Sequence, residues 1–347
     1  MKRPTMADIA QRAGVTKGAV SFALNGRPGV SEATRERILG IARELGWQAS
    51  AAARALSDGR AGAFGLVVDR PARMLGVEPF FMQLVSGMQA ELAKKGISLL
   101  FTLAVDTAEQ VDIYRKWWAS RQVDGVFLVD AQPDDPRMSA LEQLGLPAVV
   151  IGAPEVAGNL SAVWSDDAAA VRAALDCLAG LGHRRVARVA GPNRFWHTRV
   201  RTESFEAVAR AYGMRSIVVE ADYSAEQGAE ATRTLLGLPD PPTAVLYDND
   251  VMAMAGLSTA MRTGVRVPEQ VSLIAWDDSP LCELVHPGLT ALWRDIPDYG
   301  AKAAHRLVEL TGGGERGHLQ VVGVRLVVRG STGPAPDRPA VRRTAAR

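Results

Sequence analysis

The run GVTKGAVSFALNG, residues 14–26, constrains this 347-residue chain more than any other stretch. Upstream of it, Thr5-Met6-Ala7-Asp8 has the [ST]-x-x-[DE] spacing of a capping box, so a short helix should start at Thr5 with Ile9, Ala10 and Ala13 on one side. Gly14 can take the positive φ of a tight helix end. Thr16 can then cap a second helix, stopped by Gly26 after Asn25. Two short helices joined by a glycine-containing turn of this length read as helix-turn-helix. Val20 and Leu24 should point inward, which leaves the small or polar Lys17, Gly18, Ser21 and Asn25 on the outward side, as a helix in a major groove requires. A bland helical hairpin with a solvated face is the competing reading.

The continuation favours the first reading. Ser31 caps a third helix with Ile38, Ile41, Ala42 and Leu45 inside, closed by Gly46, and the alanine-rich SAAARALSDGR at 50–60 has little to bury. Residues 1–60 hold ten Lys/Arg against five Asp/Glu, so the remainder is slightly acidic although the net charge is only +2. A basic unit on a near-neutral body is the electrostatic footprint of nucleic-acid binding. The pieces MADIAQRAGVTKGAVSFALNG, VSEATRERI and AARAL, in this order, resemble the LacI/GalR family of transcriptional regulators, the lactose-repressor type.

The chain is too long for one core. Beyond Gly62, strand-length apolar runs such as AFGLVVD, ISLLFTLAV, VDGVFLV and LPAVVIG alternate with helix-period segments, and the pattern resumes after Trp164 through VARVAG, SIVVE, TAVLYD and VSLIAW. Repeated β-α units predict parallel sheets covered by helices, here an α/β body of two similar lobes breaking near 159–165. Ligands of such sheets bind beyond the strands' carboxyl ends, in the cleft between lobes.

The resemblance extends to about Arg329 through PTAVLYDNDVMAMAGL and RVPEQVSLIAWDDSP. It implies a two-lobed domain similar to periplasmic sugar-binding proteins, crossed three times by the chain. The expected plan is a helix-turn-helix domain at 1–48, a hinge at 49–61 and an effector-binding and dimerisation domain at 62–330. Within the last, lobe 1 takes about 62–162 and 292–322, and lobe 2 about 163–291 and 323–330. A disordered tail is expected at 331–347, where Pro, Ala and Arg dominate without apolar periodicity. That tail also lacks heptads, so a homodimer is expected rather than a tetramer.

By the resemblance, Arg201, Asn249 and Asp277 bind the effector; Asp accepts from hydroxyls, Asn donates and accepts, and Arg offers a fork, which suits a polyol. Asp69, at the end of the first strand, joins them, and the aromatic faces of Phe80, Phe81, Trp164 and Trp276 are placed to stack on a sugar. Asp250 reads as a cap for the following helix. On the DNA side, the starts of helices at Thr5, Thr16 and Ser31 meet phosphates, while Lys17, Gly18, Ser21 and Asn25 face bases. In the family the 50–58 segment folds on the operator and drives a leucine into the minor groove; that leucine is Leu56, with Arg54 beside it.

Three departures from the family stand out. Phe22 occupies a position often held by Arg; outward it can offer only apolar contact to a thymine methyl, inward it packs, and packing is expected. Ala49-Ser50 replaces the usual Pro-Asn before the hinge. Gly152 stands where an acid or polar side chain is common.

The function implied is a sequence-specific DNA-binding regulator, a repressor controlled by a small molecule, with a saccharide the first class and a nucleobase the second. The partners are a pseudo-palindromic operator duplex and a second copy of the chain, without a membrane. A periplasmic solute-binding protein would share the body, but the N-terminus has no apolar run of a signal peptide, so a cytoplasmic, nucleoid-associated protein is expected. Cys177 and Cys282 have no CxxC or Cys/His spacing, so neither a disulfide scaffold nor a metal site is expected. No G-x-G-x-x-G or G-x-S-x-G appears, so no enzyme and no cofactor are expected.

Overall fold

The computed structural model describes residues 4–47, 59–321 and 323–337. It divides into two units, Met1–Ala61 and Gly62–Arg347. In the first, helices α1 (Met6–Ala13), α2 (Lys17–Leu24) and α3 (Glu32–Glu44) follow from local chemistry. Thr5 Oγ1 accepts from the Asp8 amide while the Asp8 carboxylate accepts from the Thr5 amide at 2.7 Å, a reciprocal capping box. Gly14 closes α1 at φ 64°, Thr16 caps α2 through the Ala19 amide, and Ser31 caps α3 through the Thr34 amide. Ile9, Val20, Ala23 and Ile38 form the small core, with Leu24, Ile41 and Leu45 partly buried around it. Of the expected hinge at 49–61, residues 49–58, with Arg54 and Leu56, lie outside the described residues.

The second unit holds two six-stranded sheets. The first has the order β11-β5-β4-β3-β1-β2 and the second β12-β10-β9-β8-β6-β7. The first comprises β1 (Ala63–Asp69), β2 (Ser98–Ala104), β3 (Gly125–Leu128), β4 (Ala148–Ile151), β5 (Ser161–Trp164) and β11 (His318–Gln320), all parallel. The second comprises β6 (Arg185–Ala190), β7 (Arg215–Glu220), β8 (Ala244–Tyr247), β9 (Ser272–Trp276), β10 (Thr290–Trp293) and β12 (Arg325–Val327), parallel except for the β10–β12 pair. The helices between them are α4 (Ala72–Leu75), α5 (Pro79–Ala93), α6 (Thr107–Ala119), α7 (Pro136–Leu144), α8 (Asp167–Gly180), α9 (Trp196–Ala211), α10 (Ala225–Leu236), α11 (Asp250–Arg262), α12 (Leu281–Leu284) and α13 (Ile296–Thr311).

Of the strands read from apolar runs, β3, β4, β8 and β9 are buried on both faces, while β2 and β7 are partly exposed edge strands. Four short strands carry no such run. β11 and β12 are exposed or partly exposed edge strands of three residues each, with Leu326 of β12 packed against the core of the second lobe. β5 and β10 are buried but only four residues long. As a result β10 keeps the chain in the second sheet through Trp293, so Leu292 belongs to that sheet and not to the returning segment.

That return is made by α13, which packs on α5 with their backbones in contact. A Cβ added at Gly87 would lie 1.8 Å from the Pro297 carbonyl oxygen, and one at Gly300 would lie 2.2 Å from that of Leu84. Only hydrogen at both positions permits the approach.

The expectation of a disordered tail from Ser331 is corrected for its first residues. The Ser331 hydroxyl donates to the Leu273 carbonyl at 2.6 Å and accepts from the Thr290 amide at 2.8 Å, and the Ala335 amide donates to Leu181. His183 is fully buried, with Nε2 3.1 Å from the Gly333 carbonyl oxygen. Composition misled here because these contacts are made by backbone and hydroxyl groups, which leave no apolar pattern. Residues 338–347 lie outside the described ones.

Substituting Gly87→Ala should lower the stability of the body by about 1–3 kcal/mol, the usual cost of overpacking. Gly180→Ala, where a Cβ meets nothing within 4 Å, should be neutral or slightly stabilising. Urea unfolding of the two variants checks the contrast.

Candidate functional site

The outward face of α2 carries Lys17, Gly18 and Asn25, all exposed, with Ser21 half-buried and bonded to Asn25 Nδ2 at 3.4 Å. Thr5, Thr16 and Ser31 are each spent as N-caps of α1, α2 and α3. Phe22 corrects an expectation. It does not pack inward but stands 41% exposed on this same face. The inward positions of α2 are taken by Val20 and Ala23, and Phe22 falls on the other side of the helix.

In the second unit a cavity of about 410 Å³ opens at the carboxyl ends of the strands of both sheets. Its first wall follows β1, β3 and β5 with Arg70, Asp130 and Trp164, joined by Phe80 and Phe81 from the start of α5. The other wall supplies Asp167, Arg201, Tyr223, Asp277 and Arg294. Asp130, Tyr223 and Asp277 all have positive φ (53°, 70° and 60°), a strained backbone for side chains with a Cβ, and strain of this kind collects at functional sites.

Charge in the cleft is arranged in pairs. Arg70 Nη2 lies 2.9 Å from Asp130, Arg201 Nε 2.9 Å from Asp167, and Arg294 Nε 2.8 Å from Asp277. Behind them Arg188 makes a two-pronged contact with Asp248, whose carboxylate also accepts from the Gly191 amide. Three arginines thus face seven carboxylates along the lining. Burial, with the neighbouring arginines adding to it, holds His197 well below the usual imidazole range, so it is neutral; its Nε2 lies 2.8 Å from the Tyr223 hydroxyl. Glu78 is pushed up to about 7 because it is buried; Arg70 Nε, 4.0 Å away, offsets this only in part and makes no hydrogen bond to it.

Several contacts join the walls. The Trp196 amide donates to the Ala131 carbonyl at 2.9 Å, and Arg194 faces Asp69 at 3.6 Å. The Arg70 guanidinium lies over the rings of Phe195 and Tyr223 at 4.8 and 5.3 Å. Met74, on α4, packs into the core of the second lobe.

Of the effector residues read from sequence, Phe80, Phe81, Trp164, Arg201 and Asp277 line the cavity. Three do not. Asn249 caps α11, accepting from the Met252 amide and donating to the Tyr223 carbonyl. The cap expected of Asp250 is therefore made by Asn249, and Asp250 sits one residue inside the helix, buried. Trp276 is fully buried beneath the Arg201 guanidinium, which lies 3.7 Å from its ring centroid. Asp69 faces Arg194 and not the cavity. Gly152 does line the cleft, without a side chain to offer. The residues missed include Arg70, Asp130, Asp167, Asp248 and Arg294, each within three residues of a strand's carboxyl end, and Glu78 and His197, which are not. For the first five, that position was the available signal.

Among the described residues no cluster of His, Cys, Asp or Glu could hold a metal ion, and no helix is long and apolar enough to cross a membrane.

A three-helix unit of helix-turn-helix form, in one chain with a two-lobed body built around a polar cleft, defines a ligand-responsive DNA-binding regulator of transcription. The chain belongs to the lacI family of bacterial regulatory proteins. Residues 5–50 match that family and residues 175–332 match the periplasmic binding protein-like domain. The HTH-type transcriptional regulator CelR of Thermobifida fusca is 32% identical over 338 residues, covering 95% of this chain and 98% of its own. A solved complex of the transcriptional regulator CelR with cellobiose aligns with 95% of this chain and 100% of its own at 31% identity and a TM-score of 0.72. A lac repressor dimer bound to operator and an anti-inducer has the same fold, with a TM-score of 0.83 at 24% identity over 96% of this chain and all of its own.

The Glu78 shift has a definite sign. Its folded value lies above the ordinary 4.5, so the folded state binds more protons and stability falls as pH rises from about 4.5 to about 7. Glu78→Gln should flatten that slope, leaving the smaller fall expected from Asp250, pushed up to about 6 by its own burial. Urea midpoints of both proteins between pH 4.5 and 8 check it.

Proposed function

We propose that this regulator is a cytoplasmic, dimeric repressor whose operator affinity is set by an uncharged sugar in the cleft. The observation that carries the ligand class is the pairing of every cleft arginine with a carboxylate. Arg70, Arg201 and Arg294 are each neutralised by Asp130, Asp167 and Asp277, and the remaining carboxylates leave the lining net negative. A phosphorylated sugar or a carboxylate would meet no uncompensated cation and would be repelled. Hydroxyl groups suit such pairs, since carboxylates accept from them and guanidinium N–H groups donate to them. Trp164 and Phe80 supply faces for the apolar side of a pyranose ring. The cellobiose held by the CelR relative is a neutral saccharide and supports the same class. No catalytic group is needed for this role, and we assign none.

On the DNA side, two copies of the head address the halves of a pseudo-palindromic site. Helix starts at Thr5, Thr16 and Ser31 set the register on phosphates, and Lys17, Ser21 and Asn25 face base edges. Arg54 and Leu56 enter the minor groove at the centre of the site. A ligand that favours one arrangement of the lobes shifts operator affinity, and couplings of this kind amount to about 1–3 kcal/mol.

Thermal unfolding with cellobiose, maltose, glucose, glucose 6-phosphate and adenine tests the cleft. A neutral sugar should raise the midpoint, by an amount equivalent to about 2.7 kcal/mol at a hundredfold excess over its Kd. The shift should vanish in Asp277→Ala, and glucose 6-phosphate should be silent. A response to adenine alone would replace the sugar with a nucleobase. Separately, Leu56→Ala should weaken binding to a selected operator at least tenfold and leave random-sequence binding within about twofold, since the wedge acts through local deformation. Equal losses on both duplexes would remove Leu56 from the minor groove.

A further inference from the structure

We propose that Phe22 reads thymine, by seating its ring against the C5-methyl group in the major groove. The proposal rests on the reading of α2 as the DNA-facing helix. On that helix, Val20 and Ala23 are buried, while Lys17, Gly18, Phe22 and Asn25 are exposed and share the opposite side. Phe22 is the one large apolar side chain of this face.

Its ring is supported, not loose. A Cβ built on Gly29 would come within 2.9 Å of Phe22 Cδ2, so the ring lies on bare glycine backbone. Gly29 also has φ 126°, a conformation that side chains with a Cβ rarely adopt. The carbonyl of Phe22 accepts from the Arg27 amide at 2.9 Å, which fixes the turn that carries this glycine. One side of the ring is thus held and the other is open to solvent. One helical turn earlier, Gly18 has no side chain, so the helix can approach the base edges closely enough for a phenyl ring to reach them.

The chemistry of the groove then selects the base. A phenyl ring has no donor or acceptor to offer G, A or C, whose major-groove edges are polar, and covering such an edge leaves it unsatisfied. Thymine alone presents a methyl group there. Phe22 therefore both rewards thymine and penalises the other bases at its position, a discrimination with no hydrogen bond in it.

The test uses the full-length protein. Half-sites are selected from random duplexes with wild type, Phe22→Ala and Phe22→Leu, and each thymine of the wild-type consensus is then replaced singly by deoxyuridine, which removes only the methyl group. Wild type should lose affinity about fourfold at one or two thymines of each half-site, the amount expected for a buried methyl group. Phe22→Leu should retain part of that sensitivity, and Phe22→Ala should lose it at those positions while still enriching the rest of the consensus. If wild type is indifferent to every deoxyuridine, the thymine assignment is overturned. If Phe22→Ala loses affinity for all duplexes alike and keeps the wild-type deoxyuridine pattern, Phe22 only supports the turn at Gly29 and the assignment is again overturned. Failure of wild type to enrich any sequence would overturn the DNA-binding reading itself, and this proposal with it.

Discussion

The body of this protein depends on the close approach of α5 and α13. Gly87 and Gly300 let the two helix backbones touch, and any side chain at either site would collide with a carbonyl of the other helix. This contact fastens a segment beginning at Ile296 to a lobe that is otherwise finished at Trp164. Because that segment must come back, the chain crosses between the lobes three times, after β5, after β10 and after β11. The two lobes thus have separate sheets joined by three crossings, with Met74 of the first packed into the core of the second.

The cleft inherits its chemistry from the same arrangement. Strand ends of two parallel sheets converge, and parallel sheets present their carboxyl-end loops on one side. Arg70 leaves β1, Asp130 follows β3, Asp277 follows β9 and Arg294 follows β10, so charges from distant parts of the chain are brought within bonding distance. Their pairing keeps buried charge tolerable: removal of one partner would leave the other uncompensated in a poorly hydrated site. Arg70 does more than pair, since its guanidinium also lies over Phe195 and Tyr223 of the opposite lobe. The group that anchors the first wall is thus also part of the seam between the lobes.

The three head helices were legible from sequence because each is specified by contacts three or four residues long. Thr5 with Asp8, Thr16 with Ala19 and Ser31 with Thr34 are caps that sequence spacing can name. The doubly covered strands were legible for a similar reason, since burial on both faces writes an unbroken apolar run. Edge strands β11 and β12 were not, because three residues that are exposed or only partly buried write no apolar run. Nor were the contacts of Ser331 and Gly333, which polar groups make with partners far away in the chain. Phe22 was misjudged in its helical position: it shares the side of Gly18 and Asn25, while Val20 and Ala23 face the core.

At the cleft the division is sharper. Sequence by itself determined the architecture, the family and the strand ends where a ligand site must lie, because periodicity and capping are local. Only the tertiary structure decided which side chain at each strand end enters the cavity. Asn249 turns to cap α11 and its neighbour Asp248 lines the cleft; Trp276 is buried and Asp277 after it is presented. Asp248, Asn249 and Asp277 lie just past the ends of β8 and β9, so the turn backbone there, with φ 60° at Asp277, sets which side chain meets the cleft. The partners that neutralise the arginines are likewise set by packing between segments up to 60 residues apart, as in the Arg70–Asp130 and Arg188–Asp248 pairs, and no local pattern records them.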